Sequence, residues 1–94
     1  MRSAKQKENN LILYRRRMGF TQKHVADLLG HRDASMISHY EHGRALPPLV
    51  VALSLEVIYR APVAFLFPAI YDELKRRIRD HEDNLFAPRQ RPLF

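Results

Sequence analysis

The chain contains no cysteine, which excludes disulfide bridges and thiolate-ligated zinc. A chain without cysteine is compatible with a reducing compartment, and we expect a cytoplasmic protein. The N-terminal segment MRSAKQKENN is polar, and the apolar stretch that follows it is interrupted at Arg15. Neither a signal peptide nor a transmembrane helix is therefore expected.

Sequence motifs of catalysis are also missing. There is no glycine-rich phosphate loop, no G-x-S-x-G and no H-E-x-x-H. We therefore predict neither an enzyme nor a bound cofactor. His39 and His42 lie three residues apart with His31 nearby, a spacing that can bind zinc. No cysteine or acidic ligand supports such a site, and no metal is expected.

Glycine is scarce, and its positions are informative. The chain has only three glycines, Gly19, Gly30 and Gly43, and each falls where a helical pattern stops. Helices often end with a residue at positive φ, which glycine adopts without steric cost. The glycines therefore divide the first half of the chain into three short helices.

Length and charge limit the class of protein further. Ninety-four residues form one domain with a modest core. The net charge is +6. The first 24 positions contain seven lysines and arginines but only one acidic residue, Glu8. This balance favours a polyanionic partner, because each neutralised phosphate releases counterions. A basic surface without a partner is the alternative that charge alone leaves open.

Hydrophobic spacing predicts helices in the first half of the chain. Residues 1–8 are expected to form a basic arm, after which Asn9 or Asn10 caps a first helix. Thr21 caps a second helix, and a third runs from about Asp33 to His42. Helical periodicity places the following residues inward: Leu11, Tyr14, Met18, Val25, Ala26, Leu29, Ile37 and Tyr40.

The second half is also predicted to be helical. Pro47 and Pro48 begin a fourth helix that is apolar almost all round, which suits a domain centre or part of a subunit interface. Pro62 opens a short fifth helix. A last helix covers 69–85, and 86–94 is expected to be an irregular tail. The last helix carries a seam at 3-4-3-4 spacing, formed by Tyr71, Leu74, Ile78, His81 and Leu85.

The segment from Tyr14 to Pro47 resembles the helix-turn-helix domain of the Cro/C1-type (xenobiotic-response-element-like) transcriptional regulators. The matching residues are Tyr14, Arg15, Thr21, Gln22, Val25, Ala26, Leu29, Gly30, Ser35, Ile37, Ser38, Tyr40, Glu41, Gly43 and Arg44. The resemblance implies an all-α, lambda-repressor-like domain over residues 9–68. The additional C-terminal helix at 69–85 lies outside the resemblance and brings the predicted total to five or six helices. It implies a transcriptional regulator, more often a repressor, that binds double-stranded DNA.

The resemblance also implies roles for individual residues. The base-reading positions are Ala34, Ser35, Met36, Ser38 and His39. Phosphate contacts are expected from Thr21, Gln22 and Arg44, and the neighbouring cations Lys23, Arg32, Arg16 and Arg17 are further candidates. Arg15 and Glu41 match an ion pair that ties the first helix to the third. The turn from Gly30 to Asp33 is one residue longer than in the best-known phage repressors.

We expect a homodimer, because one short helix reads only a few base pairs and symmetry doubles the contact. The predicted interface combines the fourth helix with the C-terminal seam, and its candidate residues are Leu55, Tyr59, Tyr71, Leu74 and Ile78. A second hypothesis is an antitoxin or adaptor of the same fold that acts mainly through a protein partner. Neither a membrane nor a small molecule is indicated as a partner.

Overall fold

The computed structural model describes residues 8–90, with side chains through residue 86, and every regular element in this part is a helix. The all-α prediction is therefore confirmed. The six helices are α1 Leu11–Arg17, α2 Gln22–Leu29, α3 Ser35–Glu41, α4 Leu49–Tyr59, α5 Val63–Leu66 and α6 Pro68–Gln90. The predicted arm lies outside the described residues apart from Glu8, and so do residues 91–94 of the predicted tail.

The helices pack around one hydrophobic core, to which both the helices and the connections between them contribute side chains. Helices α1 to α3 contribute Leu11, Val25, Ala26, Ile37 and Tyr40, while the second half contributes Leu55, Tyr59, Ala61, Leu66 and Phe67. All eight residues predicted to face inward in the first three helices are buried in this core or packed against it. Helical periodicity therefore placed the inner faces of α1, α2 and α3 correctly.

Two asparagines at the start of α1 attach that helix to distant parts of the chain. Asn9 Nδ2 donates to the carbonyl of Tyr40 over 3.0 Å, and its Oδ1 accepts from the Leu11 amide over 3.0 Å. The Asn10 amide donates to the Leu66 carbonyl at 2.9 Å. Asn10 therefore occupies the N-cap position of α1 and joins the helix to α5, while the Asn9 side chain satisfies the first amide of α1 and joins it to the end of α3.

The connection from α4 to α5 depends on Glu56, the charged residue of a largely apolar helix. Its Oε1 accepts from the Val63 amide over 3.0 Å, which satisfies a backbone donor at the start of α5. Between the two helices, Arg60 has φ 56°, a left-handed conformation that reverses the chain direction at the end of α4.

Helix α6 extends beyond its predicted end. It begins at Pro68 and continues to Gln90, whereas an irregular tail was predicted from residue 86. The prediction took Pro88 as a helix breaker, since an interior proline costs a helix about 3 kcal/mol. Here the helix retains Pro88 near its C-terminal end. Helix α6 packs on α5, and its residues from 74 to 86 are all exposed.

Candidate nucleic-acid interface

Helices α2 and α3 form a hairpin whose geometry is set by local hydrogen bonds. Thr21 Oγ1 accepts from the His24 amide over 3.0 Å, and His24 Nδ1 accepts from the Thr21 amide over 3.1 Å. Gly30 ends α2 at φ 79°, and the next amide, that of His31, donates to Ala26 over 2.8 Å. The reciprocal cap and the left-handed glycine therefore fix both ends of α2.

Helix α3 begins one to two residues later than predicted. The Asp33 carboxylate accepts from the Ser35 amide over 2.9 Å and from the Ser35 hydroxyl over 2.5 Å. These bonds lower the pKa of Asp33, because they stabilise its charged form. Asp33 thus satisfies a free amide at the start of α3, and the helix itself runs from Ser35 to Glu41.

A buried carboxylate holds α3 against both preceding helices. Glu41 Oε2 accepts from Arg15 Nε over 2.6 Å, and Glu41 Oε1 accepts from Gln22 Nε2 over 2.9 Å. The Glu41 side chain is 1% exposed and that of Arg15 is 14% exposed. Hydrogen bonding to Glu41 raises the pKa of Arg15. The predicted ion pair is present, and Gln22 supplies a third member.

The side of α3 away from the core carries most of the predicted base-reading residues. Ser35 and Met36 are exposed, while Ala34, Ser38 and His39 are half-buried. The buried residues of the helix are Ile37, Tyr40 and Glu41. The Ser38 hydroxyl lies 3.4 Å from Nδ1 of His42, a residue that the sequence did not single out for this face. Ser35, Met36, Ser38 and His39 are therefore accessible on this helix, whereas the predicted position Ala34 packs partly against the core.

The predicted phosphate-binding residues differ in how they are held. Arg16, Arg32 and Arg44 are exposed, and the Arg17 guanidinium lies 5.1 Å from the Tyr14 ring centroid. The Lys23 ammonium instead donates to Asp27 over 2.8 Å and to the Arg32 carbonyl over 3.0 Å. Lys23 thus closes the α2–α3 turn, and a phosphate would have to compete with these acceptors.

Two of the predicted dimer residues are misassigned. Leu55 is 2% exposed and Tyr59 3% exposed, so both belong to the core of one molecule. Burial also raises the pKa of Tyr59. Because α4 is apolar nearly all round, its sequence did not reveal which side faces inward. Its exposed apolar residues are Leu49, Val50, Leu53 and Val57.

The remaining predicted dimer residues Tyr71, Leu74 and Ile78 are about half exposed on α6. At the base of α6 an open apolar groove of about 210 Å³ lies between α4, α5 and α6. Its lining residues are Leu46, Pro47, Ala52, Val63, Ala64, Phe67, Ile70, Tyr71 and Leu74. The groove arises where three helices diverge, which no pattern in the sequence indicates.

Among the described side chains, no three of the types His, Cys, Asp or Glu are grouped so that they could hold a metal ion. In the same part of the chain no helix is long and apolar enough to cross a bilayer. Comparison with protein-family models, with curated proteins and with solved structures finds no match.

Proposed function

We propose that this protein is a sequence-specific regulator of transcription that binds duplex DNA. In this proposal the helices up to α5 form a Cro/C1-type, lambda-repressor-like domain. Helix α3 enters the major groove, and bound protein represses by occluding the promoter. The proposal rests on one observation above all. Glu41 anchors the inner side of α3 to Arg15 and Gln22, while the outer side presents polar side chains to solvent.

The chemistry of the outer side suits base recognition. Serine hydroxyls and histidine nitrogens can donate to or accept from base edges in the major groove, and the Met36 side chain can contact a thymine methyl group. The Ser35 hydroxyl donates to Asp33 and keeps its oxygen lone pairs for a base amino group. An anchored helix loses little conformational entropy when it docks.

The charges around α3 suit a phosphate backbone. Arg32 precedes the helix and Arg44 follows it, and both side chains are exposed. Arg16 and Arg17 add two exposed guanidinium groups at the end of α1. Phosphate contacts of this kind position a protein on the duplex, whereas base contacts specify the sequence. The protein is proposed to act as a homodimer on two half-sites.

Selection of bound sites from random duplexes tests the proposal. We expect one enriched sequence, with an inverted repeat where a homodimer binds. Ser35→Ala and His39→Ala should each weaken binding to that sequence by about 1–3 kcal/mol. Ser54→Ala is the matched control, because Ser54 donates to the Val50 carbonyl within α4 and lies outside α3. Enrichment of no sequence over competitor DNA would refute the proposal.

A second candidate function is an antitoxin or adaptor that acts through a protein partner. The exposed apolar residues of α4, which include Val50 and Val57, favour it, because large apolar patches mark interaction surfaces. A toxin-like reading frame beside the gene would support this candidate. Salt-dependent binding to upstream DNA that is lost in Ser35→Ala and His39→Ala would support the stand-alone regulator.

A further inference from the structure

An open cleft of about 340 Å³ lies where α1, α5 and α6 meet. Its walls include Asn10 at the start of α1, Tyr14 within that helix, Phe65 on α5, and Tyr71 and Asp72 on α6. Three of these residues are aromatic, and Asp72 is the only charged residue of the described chain that lines the cleft. The face of an aromatic ring carries partial negative charge, so rings beside a carboxylate form a site for a cation. This aromatic cleft therefore suits a cationic group.

The Asp72 carboxylate is exposed and has no partner in the part of the chain that the structure describes. Neither Lys75 nor Arg76, one turn after Asp72, forms an ion pair with it. The ion pairs of α6 lie elsewhere on the helix, between Glu73 and Arg77 and between Arg79 and Glu82. Asp72 is therefore available to a group that enters the aromatic cleft.

Two of the three rings are also uncovered. Phe65 is 57% exposed and Tyr71 is 50% exposed. The Arg17 guanidinium lies 5.1 Å from the Tyr14 ring centroid, and Arg17 does not line the cleft. Among the described residues no cation lies over the ring of Phe65 or Tyr71. These two rings therefore offer free faces to a cation.

The basic arm joins the body of the protein at the edge of this cleft. Asn10 Nδ2 donates to the Phe65 carbonyl over 3.0 Å, which fixes the start of α1 against α5 at the point where the arm ends. The arm carries Lys5 and Lys7, five and three residues before Asn10. An extended chain spans at most about 3.5 Å per residue, so these two positions can lie up to about 17 and 10 Å from Asn10. Both lysines can therefore reach a cleft that Asn10 itself lines.

We propose that the aromatic cleft binds the ammonium group of Lys7 or Lys5 of the same chain. The ammonium group lies against the rings of Phe65 and Tyr71 and pairs with the Asp72 carboxylate. The short tether gives these lysines an effective concentration of about millimolar at the cleft, which a cation of another molecule must exceed. The contact holds the arm on α5 and α6, and it forms without DNA.

Carbodiimide coupling of the full chain tests this contact, because the reagent joins a carboxylate to an adjacent amine with loss of one water. We expect an amide bond between Asp72 and Lys7 or Lys5, identified by peptide mass spectrometry in monomeric protein. Asp80 is the control carboxylate, because it is also exposed on α6 but lies about 12 Å further along the helix. It should couple to neither lysine. A mixture of isotope-labelled and unlabelled protein distinguishes the two kinds of bond, since only a bond between copies joins peptides of different label.

Phe65→Ala tests the aromatic contribution and leaves Asp72 in place. A cation–π contact at an exposed site changes an equilibrium by a small factor, so the yield of Asp72 coupling should fall about two- to fivefold. Leu28→Ala is the matched control, because Leu28 is 59% exposed and lies on α2, outside the cleft. Its coupling yield should equal that of the natural protein. Circular dichroism checks that both variants keep their helix content.

Trypsin provides a second measurement, because the protease must bind the lysine side chain in its own pocket before it cleaves. Asp72→Asn should speed cleavage after the coupled lysine by about two- to fivefold. Cleavage after Arg2 is the internal reference in each sample and should not change. Asp80→Asn is the matched variant and should cleave like the natural protein.

Four results would overturn the proposal. Coupling of Asp72 to Lys75 alone would show that the acid is covered by its own helix, and coupling only between copies would assign the cleft to a second molecule. Equal yields in Phe65→Ala and Leu28→Ala would remove the role of the rings. Unchanged trypsin cleavage in Asp72→Asn would show that neither lysine is held. These measurements contain no DNA, so their failure is distinct from a failure to find an operator.

Discussion

The Glu41 carboxylate lies 2.6 Å from Arg15 Nε, and this contact joins α3 to α1 in the interior of the protein. Arg15 also donates from Nη1 to the Phe20 carbonyl over 3.1 Å, at the end of the turn between α1 and α2. The same arginine therefore holds the α1–α2 turn and the last residue of α3. Arg15 therefore acts together with Gln22 and Asn9 to hold α3 at its angle to the rest of the molecule.

Removal of the Glu41 carboxylate should destabilise the fold strongly. Glu41→Ala leaves the largely buried Arg15 charge without its partner, and we expect the free energy of unfolding to fall by about 3–5 kcal/mol. Urea denaturation followed by circular dichroism measures the loss. The double variant Arg15→Met with Glu41→Leu is the control, because it removes both charges and should lose less. A loss below about 1 kcal/mol in Glu41→Ala would contradict the importance of this ion pair.

The cap that Asp33 forms should depend on pH. Hydrogen bonds from Ser35 lower the pKa of Asp33 in the folded protein below its ordinary value of 3.8. A carboxyl group whose pKa is lowered by folding stabilises the folded state at any pH above the pKa that the group has in the unfolded chain. That stabilisation disappears as the pH falls through the pKa of the group in the folded protein. The amide proton of Ser35 should therefore exchange faster with solvent below pH 3.8 than at neutral pH, relative to intrinsic rates.

Asp33→Asn provides the control for this pH effect. Asparagine keeps a side-chain oxygen that can accept from the Ser35 amide, but it does not titrate. Protection of that amide should change little with pH in this variant. Equal pH dependence in Asp33→Asn and the natural protein would show that another group controls the start of α3.

The hairpin was predictable from sequence because its signals are local. Glycines mark the ends of helices, and Thr21 is a good N-cap residue. The contact between Arg15 and Glu41 joins residues 26 positions apart, and only the resemblance to a family of regulators suggested it. Helical periodicity indicates the buried side of a single helix, so it cannot predict that an arginine on one helix pairs with a glutamate on another.

The inner side of α4 was not predictable for a different physical reason. An amphipathic helix shows its buried side through the contrast between apolar and polar positions. In α4 both Leu55, which is buried, and Leu53, which is exposed, are leucines, so that contrast is missing. Only the packing of the other helices decides between them. The assignment of Leu55 and Tyr59 to a dimer interface failed on this point.

Truncation of leucines on the two sides of α4 should show this difference. Leu55→Ala creates a cavity in the core, and we expect a loss of about 2–5 kcal/mol in the free energy of unfolding. Leu53 is 48% exposed, and Leu53→Ala should cost less than about 1 kcal/mol. Thermal and urea denaturation at a low, monomeric protein concentration measure both. Equal losses would mean that Leu53 is also covered in the molecule.

Replacement of Arg60 by glycine should stabilise the protein. Arg60 has φ 56°, a conformation in which any residue with a Cβ atom is strained by about 1–2 kcal/mol. Glycine removes that strain, but it also gives the unfolded chain more freedom. We expect a net gain of about 0.5–1 kcal/mol from Arg60→Gly in urea denaturation. Arg60→Ala keeps the Cβ atom and should show no such gain.

The proposed phosphate contacts should appear in the salt dependence of DNA binding. Arg44 is exposed directly after α3 and its helix-ending glycine, where the duplex backbone would pass. If Arg44 neutralises one phosphate, Arg44→Ala should weaken binding similarly on all sequences and reduce the slope of log K against log salt by about 1. Arg60→Ala removes the same charge at the end of α4 and serves as the control. An unchanged slope for Arg44→Ala would place Arg44 outside the interface, whereas equal reductions in both variants would indicate an effect of net charge. Only a reduction specific to Arg44→Ala supports docking through α3.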